Sequence, residues 1–572
     1  MTAPKSPAAD ALQLGAAARS RRTLALGLLG AALGYLAHPP ADLGLLAWIA
    51  PTPWLLLARA PALPGRRPYR ALWAAGAAFW LATIQWIRLP YWANIFGLLL
   101  LAAYLGAYLP AFVALVRVAV HRLGAPVWLA AAVVWTGLEW LRARLLSGFL
   151  MASLATTQVK YPLVLQIADL GGEYAVTFLI VLVSGAIAAA LPLRWAGVDE
   201  PRLEAGGGLV RWRRLAPAAA ALAAALGYGA VRIDQLTTPA GATPPRTMPG
   251  ARAQSDMLAD WKGSPDRDRD VVQQQMELSQ QAARRAPRPL DLIVWPETMY
   301  REPLFVNDEQ SPPPRGSVHP TRYTASLEGL AALAQATGAA VLVGIDRVVA
   351  SAGDDPEQPS AARLLVYNSA ALVDPQGRLV GTYDKMHLLP FGEYIPLVDW
   401  LPVLRRYSPI TGNSLWGAGP AALETGGVIV SPNICYETVL PHLIRRQTAE
   451  LTARGQTPEL LVNLTNDAWY WGSSELDMHL ASGVLRAVEM RTPLLIAANR
   501  GLSAHIDAAG RVAAVTERDR ADVALTTVEL PPRRSSPPSI YARWGDWLST
   551  ACVICCGVLA ALGVRDNWRG AG

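Results

Sequence analysis

Three short segments of the sequence carry side chains that could act together in covalent catalysis. Each follows an apolar, strand-like run, and they supply a carboxylate at Glu297, an amine at Lys385 and a thiol at Cys435. A thiol can attack a carbonyl carbon, a carboxylate can take the thiol proton, and an ammonium group can stabilise the resulting oxyanion. Because side chains just past strand ends are well placed to converge, the set predicts one pocket for acyl chemistry.

Each of these residues also has an ordinary structural interpretation. Glu297 could lie in a solvated turn after Pro296, and Cys435 could be a small buried apolar residue. Lys385 could be a surface charge, although only four of the 51 basic residues are lysines, so the chain normally uses arginine for plain positive charge. The remaining cysteines lie in one apolar run near the C-terminal end: Cys552, Cys555 and Cys556. Only the combination favours catalysis.

The three residues lie in a region of alternating strand and helix patterns, between about 236 and 545. We predict strands at 290–294, 340–349, 364–373, 428–434, 460–464, 494–497 and 523–528. We predict helices at 267–285, 326–334 and 479–490. A Pro-, Gly- and Thr-rich linker over 237–249 precedes them, and Pro249 and Gly250 interrupt any first strand within 246–257. The pattern indicates a layered α/β domain with its own core.

The chain as a whole has the composition of a membrane protein. Of its 572 residues 52% are hydrophobic and only 17% are charged, whereas a soluble domain has about 25% charged residues. Apolar runs near the ~20-residue length of a membrane span occur at 23–37, 43–57, 71–87, 95–118, 127–140, 163–191, 215–231 and 547–564. We therefore predict a polytopic helical membrane domain of about eight spans, with domains at 1–235, 236–545 and 546–572.

The distribution of arginine explains the net charge of +7. Basic residues concentrate before the first span and in the second, fourth and sixth loops, and such loops stay in the cytoplasm. Seven spans that start inside deliver 236–545 to the external side of the membrane. The basic character is then a feature of topology, and we expect no nucleic-acid partner.

The order and surroundings of Glu297, Lys385 and Cys435 resemble the nitrilase superfamily, whose domain is an α-β-β-α sandwich. Two further motifs narrow the resemblance: LLPFGEYIP at 388–396 and NLTNDAW at 463–469. With seven spans, an external domain and a final span, nearly the whole chain is similar to the apolipoprotein N-acyltransferase family. This family is the membrane-embedded branch of the superfamily.

The resemblance implies a role for each residue. Cys435 is the nucleophile, Glu297 the general base and Lys385 the oxyanion stabiliser. Active-site support is implied for Glu393, Tyr436 and Glu437. The implied reaction moves an acyl chain from a membrane phospholipid, through a thioester, to the N-terminal amine of a diacylglyceryl-modified apolipoprotein. It implies a bacterial inner-membrane protein whose catalytic domain faces the periplasm, with no cofactor.

Aromatic residues near these motifs are candidates for substrate binding. Trp469 and Trp471 flank Tyr470 just after the NLTNDAW motif, and Trp261 follows the interrupted first strand. Because aromatic rings favour the lipid headgroup level, we predict that the 469–471 loop dips into the interface and borders the acyl entrance. Core packing of at least one ring is an equal alternative.

Two other functions remain open from the sequence. A membrane-tethered amidase or nitrilase would share the catalytic trio and hydrolyse a small C–N substrate, and its domain would work without the spans. A non-catalytic membrane assembly protein would not require the intact trio. His387 and His479 belong to no HExxH pattern, so we expect structural hydrogen bonding there and no metal.

Overall fold

The computed structural model describes residues 7–196, 212–237, 246–261, 263–353, 362–410, 414–531 and 538–569. The chain divides into two compact units. A helical unit comprises Met1–Arg88, Asn94–Asp234 and Trp544–Gly572, and a sandwich unit comprises Leu89–Ala93 and Gln235–Arg543. The short segment Leu89–Ala93 therefore belongs with the sandwich, although it lies between two apolar runs.

The described helices of the helical unit follow most of the apolar runs. They are α1 Pro7–Ala37, α2 Thr52–Arg59, α3 Pro68–Thr83, α4 Asn94–Gly106, α5 Tyr108–Leu123, α6 Val127–Arg142, α7 Pro162–Leu165, α8 Ala168–Gly171, α9 Glu173–Ala190, α10 Ala216–Thr237 and α16 Trp547–Arg569. Among the described residues, four helical stretches are long and apolar enough to cross a membrane: Asn94–Leu123, Glu173–Ala190, Arg213–Leu236 and Trp547–Arg565.

Two predicted spans are wrong as single helices. The run 43–57 forms a 3-10 turn at Gly44–Trp48 and then only the eight residues of α2. The run 163–191 is continuous helix only over α9, because Gly172 has a φ of +70° and separates α9 from two four-residue helices. In these runs apolar composition alone therefore does not determine the length of a helix.

Small residues let helices of this unit approach closely. A Cβ added at Gly76 would lie 2.7 Å from the carbonyl oxygen of Gly106, and one at Gly137 would lie 2.7 Å from Sγ of Cys556. Close backbone approach is how apolar helices associate where lipid removes the hydrophobic driving force. Cys552 and Cys556 thus serve as small packing residues against α6.

The described residues of the sandwich unit form thirteen strands in two sheets. The strands are β1 Thr247–Gln254, β2 Leu292–Val294, β3 Tyr300–Asn307, β4 Ala340–Ala352, β5 Ala362–Val373, β6 Leu379–Asp384, β7 Leu423–Thr425, β8 Val428–Ile434, β9 Leu460–Asn466, β10 Leu494–Asn499, β11 Ala504–Ile506, β12 Val512–Val515 and β13 Asp522–Glu529. The first sheet has the order β13-β1-β2-β4-β5-β6, with β3 also paired to β4. The second has the order β12-β11-β10-β9-β8-β7.

Alternating side chains join the layers. On β2, Leu292 and Val294 face a core that also contains Val430 and Val462 of the second sheet. Ile293, between them, faces a core shared with helices α11 Pro265–Arg285 and α12 Thr321–Thr337. The unit also contains α13 Pro441–Ala453, α14 Glu475–Met490 and the short α15 Ile540–Trp544. The result is the α-β-β-α sandwich predicted from the sequence.

The predicted interruption of the first strand at Pro249 and Gly250 does not occur. β1 pairs along its whole length with β13, so the predicted linker over 237–249 extends too far; its residues 238–245 lie outside the described residues. Pro249 is tolerated because β1 pairs with β2 only from Gly250 onward. On the β2 side Pro249 contributes its carbonyl, which accepts a hydrogen bond from Asp291 N. The missing N–H therefore removes no ladder hydrogen bond.

Candidate active site

Cys435 lies at a sharp turn directly after β8. The strand ends at Ile434, and a 3-10 turn over Cys435–Val439 follows at once. Cys435 has a φ of +53°, in the left-handed region that non-glycine residues rarely adopt. Two side chains hold this conformation by donating to the Cys435 carbonyl oxygen, Asn463 Nδ2 at 3.1 Å and His479 Nε2 at 3.2 Å. The strained turn leaves Cys435 half-buried.

Glu297 follows β2 and is held by donors on both carboxylate oxygens. Asn368 Nδ2 donates to Oε1 at 2.8 Å, and the backbone N–H of Asn466 donates to Oε2 at 3.1 Å. A Cβ added at Gly344 would lie 2.4 Å from the Pro296 carbonyl oxygen, so only glycine permits this path of the chain. Glu297 is buried with a fixed orientation, as a general base requires.

Lys385 follows β6 and is only 1% exposed. Its Nζ lies 3.2 Å from Glu297 Oε1 and 2.9 Å from Glu393 Oε2. Although burial alone would lower the pKa of Lys385, the two carboxylates raise that pKa well above its ordinary value. The residue is therefore a permanent ammonium group, which is the form that can stabilise an oxyanion.

The Cys435 thiol lies among the same charged groups. Its pKa is also raised, but for a thiol this favours the neutral form, whereas for Lys385 it favours the charged form. Burial raises the pKa of Cys435 well above its ordinary value, the Glu297 carboxylate raises it further, and Lys385 lowers it. The thiol is thus protonated at rest, and a base must remove its proton as sulfur attacks. The structure brings Glu297, Lys385 and Cys435 together as interacting groups from three strand ends.

Glu393 and Asn368 complete the surroundings of the ammonium group. Asn368 Nδ2 donates to Glu393 Oε1 at 2.7 Å while also holding Glu297, and Leu389 N donates to Glu393 Oε2 at 2.9 Å. Sequence reasoning missed Asn368. Its signal was a lone amide within the apolar run of β5, where a buried polar group needs partners.

Glu437 connects the Lys385 segment to the Cys435 segment. Its Oε1 accepts from Met386 N at 2.7 Å and His387 N at 3.0 Å, and its Oε2 accepts from Ile434 N at 2.7 Å. Tyr383, also missed from the sequence, donates its hydroxyl to both oxygens. Burial raises the pKa of Glu437, while these donors lower it. Glu437 therefore holds the two catalytic segments in register.

Tyr436 and the predicted tryptophans lie in the same unit. Tyr436 is buried, and its ring stacks with His387 at 6.3 Å between centroids. Trp261 packs on Trp469, with ring centroids 4.2 Å apart, and donates its indole N–H to Pro90 O at 2.7 Å. Trp471 is 69% exposed. One ring of the aromatic triplet thus packs within the protein, and another is free to contact a surface.

A second buried charged cluster lies beside the nucleophile. Asp467, Glu475 and His479 are all buried, with potential metal-ligating atoms within 4.8 Å of one another. Nε2 of His479 already donates to the Cys435 carbonyl, and Nδ1 faces Asp467 Oδ1 at 3.5 Å. Because protein groups engage both ring nitrogens, the cluster is better described as a proton-sharing network than as a metal centre.

Comparison with known proteins extends over both units. The family model described as Carbon-nitrogen hydrolase matches residues 264–536, and the one described as Apolipoprotein N-acyltransferase N-terminal domain matches residues 30–186. An apolipoprotein N-acyltransferase of Geobacter metallireducens is 33% identical over 554 residues, which cover 95% of this chain and 96% of the relative. One of Rhodopirellula baltica is 31% identical over 558 residues, covering 91% and 94%.

Among solved structures, the chain is similar to a carbon-nitrogen hydrolase from Helicobacter pylori G27. The identity is 14% and the TM-score 0.34, and the match covers 50% of this chain and 89% of that one.

Proposed function

This chain belongs to the apolipoprotein N-acyltransferase family, and we propose that its acyl transfer proceeds through a thioester on Cys435. The donor is a membrane phospholipid, and the acceptor is the N-terminal amine of a diacylglyceryl-modified apolipoprotein. The observation that carries the proposal is the convergence of a half-buried thiol, a fixed carboxylate and a buried ammonium group. The chain is an acyltransferase with several apolar helices.

The first half-reaction forms the thioester. Glu297 takes the Cys435 proton as sulfur attacks the acyl ester carbon, and Lys385 stabilises the oxyanion. The tetrahedral intermediate collapses by breaking the ester C–O bond. Glu297 returns the proton to the leaving oxygen, and lysophospholipid departs. The high pKa of the thiol couples deprotonation to attack, since a free thiolate would be costly in this site.

The second half-reaction consumes the thioester. The acceptor amine attacks the thioester carbon, Glu297 accepts a proton from the attacking nitrogen, and Lys385 again stabilises the oxyanion. The C–S bond breaks, and the proton passes to sulfur. The amide product and the protonated thiol restore the starting state.

A transfer assay tests the proposed function. Detergent-purified protein is incubated with a phospholipid of defined acyl chains and a diacylglyceryl peptide with a free N-terminus. We expect the peptide to gain one acyl mass, and C435A to give none. Release of free fatty acid without peptide acylation would favour the alternative, a membrane-tethered nitrilase-type amidase that hydrolyses small C–N substrates.

The proposal includes a topology in the bacterial inner membrane. The arginine-rich even-numbered loops support about eight spans, with the catalytic region 236–545 facing the periplasm. Reporter fusions test this arrangement: alkaline phosphatase joined after residue 245 should be active, and the same enzyme joined after residue 205 should be inactive. The reverse pattern would refute the orientation.

The aromatic loop completes the proposal. Trp471, with its exposed indole, would sit at the lipid headgroup level, while Trp469 would be held against Trp261. Exposed tryptophan is favoured at membrane interfaces, so this loop would border the entrance for the acyl chain.

A further inference from the structure

His479 contacts the nucleophile through the backbone. A carbonyl oxygen can only accept a hydrogen bond, so Nε2 of His479 must carry a proton to bond the Cys435 carbonyl at 3.2 Å. Nδ1 faces Asp467 Oδ1 at 3.5 Å, and that oxygen also accepts from Thr465 Oγ1 at 2.7 Å. A carboxylate opposite the second nitrogen favours a proton there as well. The contacts therefore describe an imidazolium ring.

The surroundings fix the charge of the cluster. Although burial lowers the pKa of His479, the hydrogen bond and charge of Asp467 and the charge of Glu475 raise it to about 9. Burial and Asp467 raise the pKa of Glu475 to about 8. The imidazolium of His479 opposite the Asp467 carboxylate forms a pair without net charge, which lowers the cost of burying both groups.

Neutrality matters to the nucleophile, because the Asp467 charge is one of those that raise the pKa of the Cys435 thiol. The titratable groups that face the His479 ring come from its own helix and two turns: Glu475, Asp467 and Cys435. The imidazolium is the cation of the cluster that balances Asp467. Without it, a negative charge would lie beside a thiol that must lose a proton.

We propose that His479 is a positioning residue for the acyl transfer, which holds the left-handed turn of Cys435 by its carbonyl and neutralises Asp467 next to the thiol. The inference rests on the proposed function only in taking Cys435 as the nucleophile. It differs from the Lys385 site because His479 acts through the main chain and through charge balance, without contact to the reacting atoms.

The test measures thiol reactivity apart from acyl transfer. In full-length protein carrying C552A, C555A and C556A, iodoacetamide alkylates only Cys435, and its rate is followed against pH by intact mass. H479Q retains an amide N–H for the Cys435 carbonyl but removes the positive charge. We expect alkylation at pH 7, where His479 carries its charge, to slow about tenfold, and the difference from the wild type to disappear as the pH rises above about 9, where His479 loses its proton.

A double variant separates charge from packing. D467N together with H479Q removes both members of the ion pair, so most of the slowing at pH 7 should be reversed even though two side chains are altered. H319Q, at an exposed histidine, serves as the matched control and should leave the profile unchanged.

Three outcomes would overturn the inference. The first is a loss of alkylation in H479Q that is the same at every pH, which makes His479 a packing residue only. The second is a slowing at pH 7 that the double variant fails to reverse. The third is a stoichiometric metal ion in the wild type, measured by mass spectrometry, that is lost in H479Q. Failure of acyl transfer in the wild type would refute the proposed function and leave this alkylation test valid.

Discussion

Two buried cations lie near the nucleophile, and each is flanked by two carboxyl groups. Lys385 lies between Glu297 and Glu393, at strand ends of the first sheet. His479 lies beside Asp467 and Glu475. Asp467 follows β9 of the second sheet, and Glu475 and His479 lie on α14. The lysine remains charged throughout the accessible pH range, whereas the histidine cluster can gain or lose a proton.

The two clusters are expected to act differently, the first on the reacting atoms and the second by supporting Cys435. In the proposed mechanism the first cluster presents a base and a cation to the reacting atoms, so its loss should stop the reaction. The second reaches the reacting sulfur only through the Cys435 main chain and through its net charge. Its loss should slow the reaction and change its pH dependence. Variants in the two clusters should therefore differ in kind as well as in size.

The largest effect is expected in the first cluster. E297Q keeps the size of the side chain but removes the base, so we expect transfer to fall about 10³-fold. K385M removes the oxyanion stabiliser and should cost about 10²- to 10³-fold. Initial rates of peptide acylation measure both. E277Q, at an exposed position on α11, is the matched control and should retain full activity. Substantial activity in E297Q would require another base.

An intermediate effect is expected at the connection between the two catalytic segments. E437Q replaces one of the two accepting oxygens with an NH₂ group that cannot accept, so either the N–H groups on Oε1 or the Ile434 N–H on Oε2 lose their acceptor. Unfolding free energy should fall by about 1–3 kcal/mol, and transfer should fall with it. Thermal unfolding and rates are compared with E424Q, at an exposed position on β7. Unchanged stability would contradict a connecting role.

The second cluster should show itself as a pH dependence of stability. His479 has its pKa raised from 6.5 to about 9 in the folded state. The folded protein therefore binds this proton more tightly than the unfolded chain. The stabilisation is complete below about pH 6.5 and is lost as pH rises through about 9. The Tm difference between wild type and H479Q should narrow over that interval, as scanning fluorimetry can measure. A constant difference would argue against a titrating His479.

The smallest effect is expected at the exposed aromatic loop. Serine at Trp469 and Trp471 should weaken transfer from lipid donors about three- to tenfold, in line with loss of interfacial contact by one or two rings. Transfer from a short soluble thioester should change little, because the chemistry is untouched. W212S, which removes an exposed tryptophan of the helical unit, is the control. Equal losses with both donors would refute the entrance role.

The sequence predicted what depends on local pattern and on chemically distinctive residue types. The apolar runs of β4, β5 and β8 and the Glu297, Lys385 and Cys435 motifs are of this kind. β1 was missed because whether Pro249 is tolerated depends on where β2 begins to pair, which no local pattern contains. Asn368 and Tyr383 were missed because a single polar residue in a strand shows no partner until the sheet forms.

The helical unit illustrates the same limit differently. The apolar runs at 43–57 and 163–191 predicted membrane spans, but the helix breaks within them depend on single backbone conformations such as that of Gly172. The role of His479 also required the fold, because Cys435 lies 44 positions away in sequence. The inference about His479 depends on this tertiary contact, which the composition of the sequence does not show.

The central claim is that Cys435 carries the acyl chain, and peptide mapping by mass spectrometry tests it most directly. Detergent-purified protein is incubated with phospholipid alone, digested, and mapped with and without hydroxylamine. The account predicts one hydroxylamine-labile acyl mass on the Cys435 peptide, which disappears when the diacylglyceryl peptide is added and never forms in C435A. An acyl group on another residue, or peptide acylation by C435A, would contradict it.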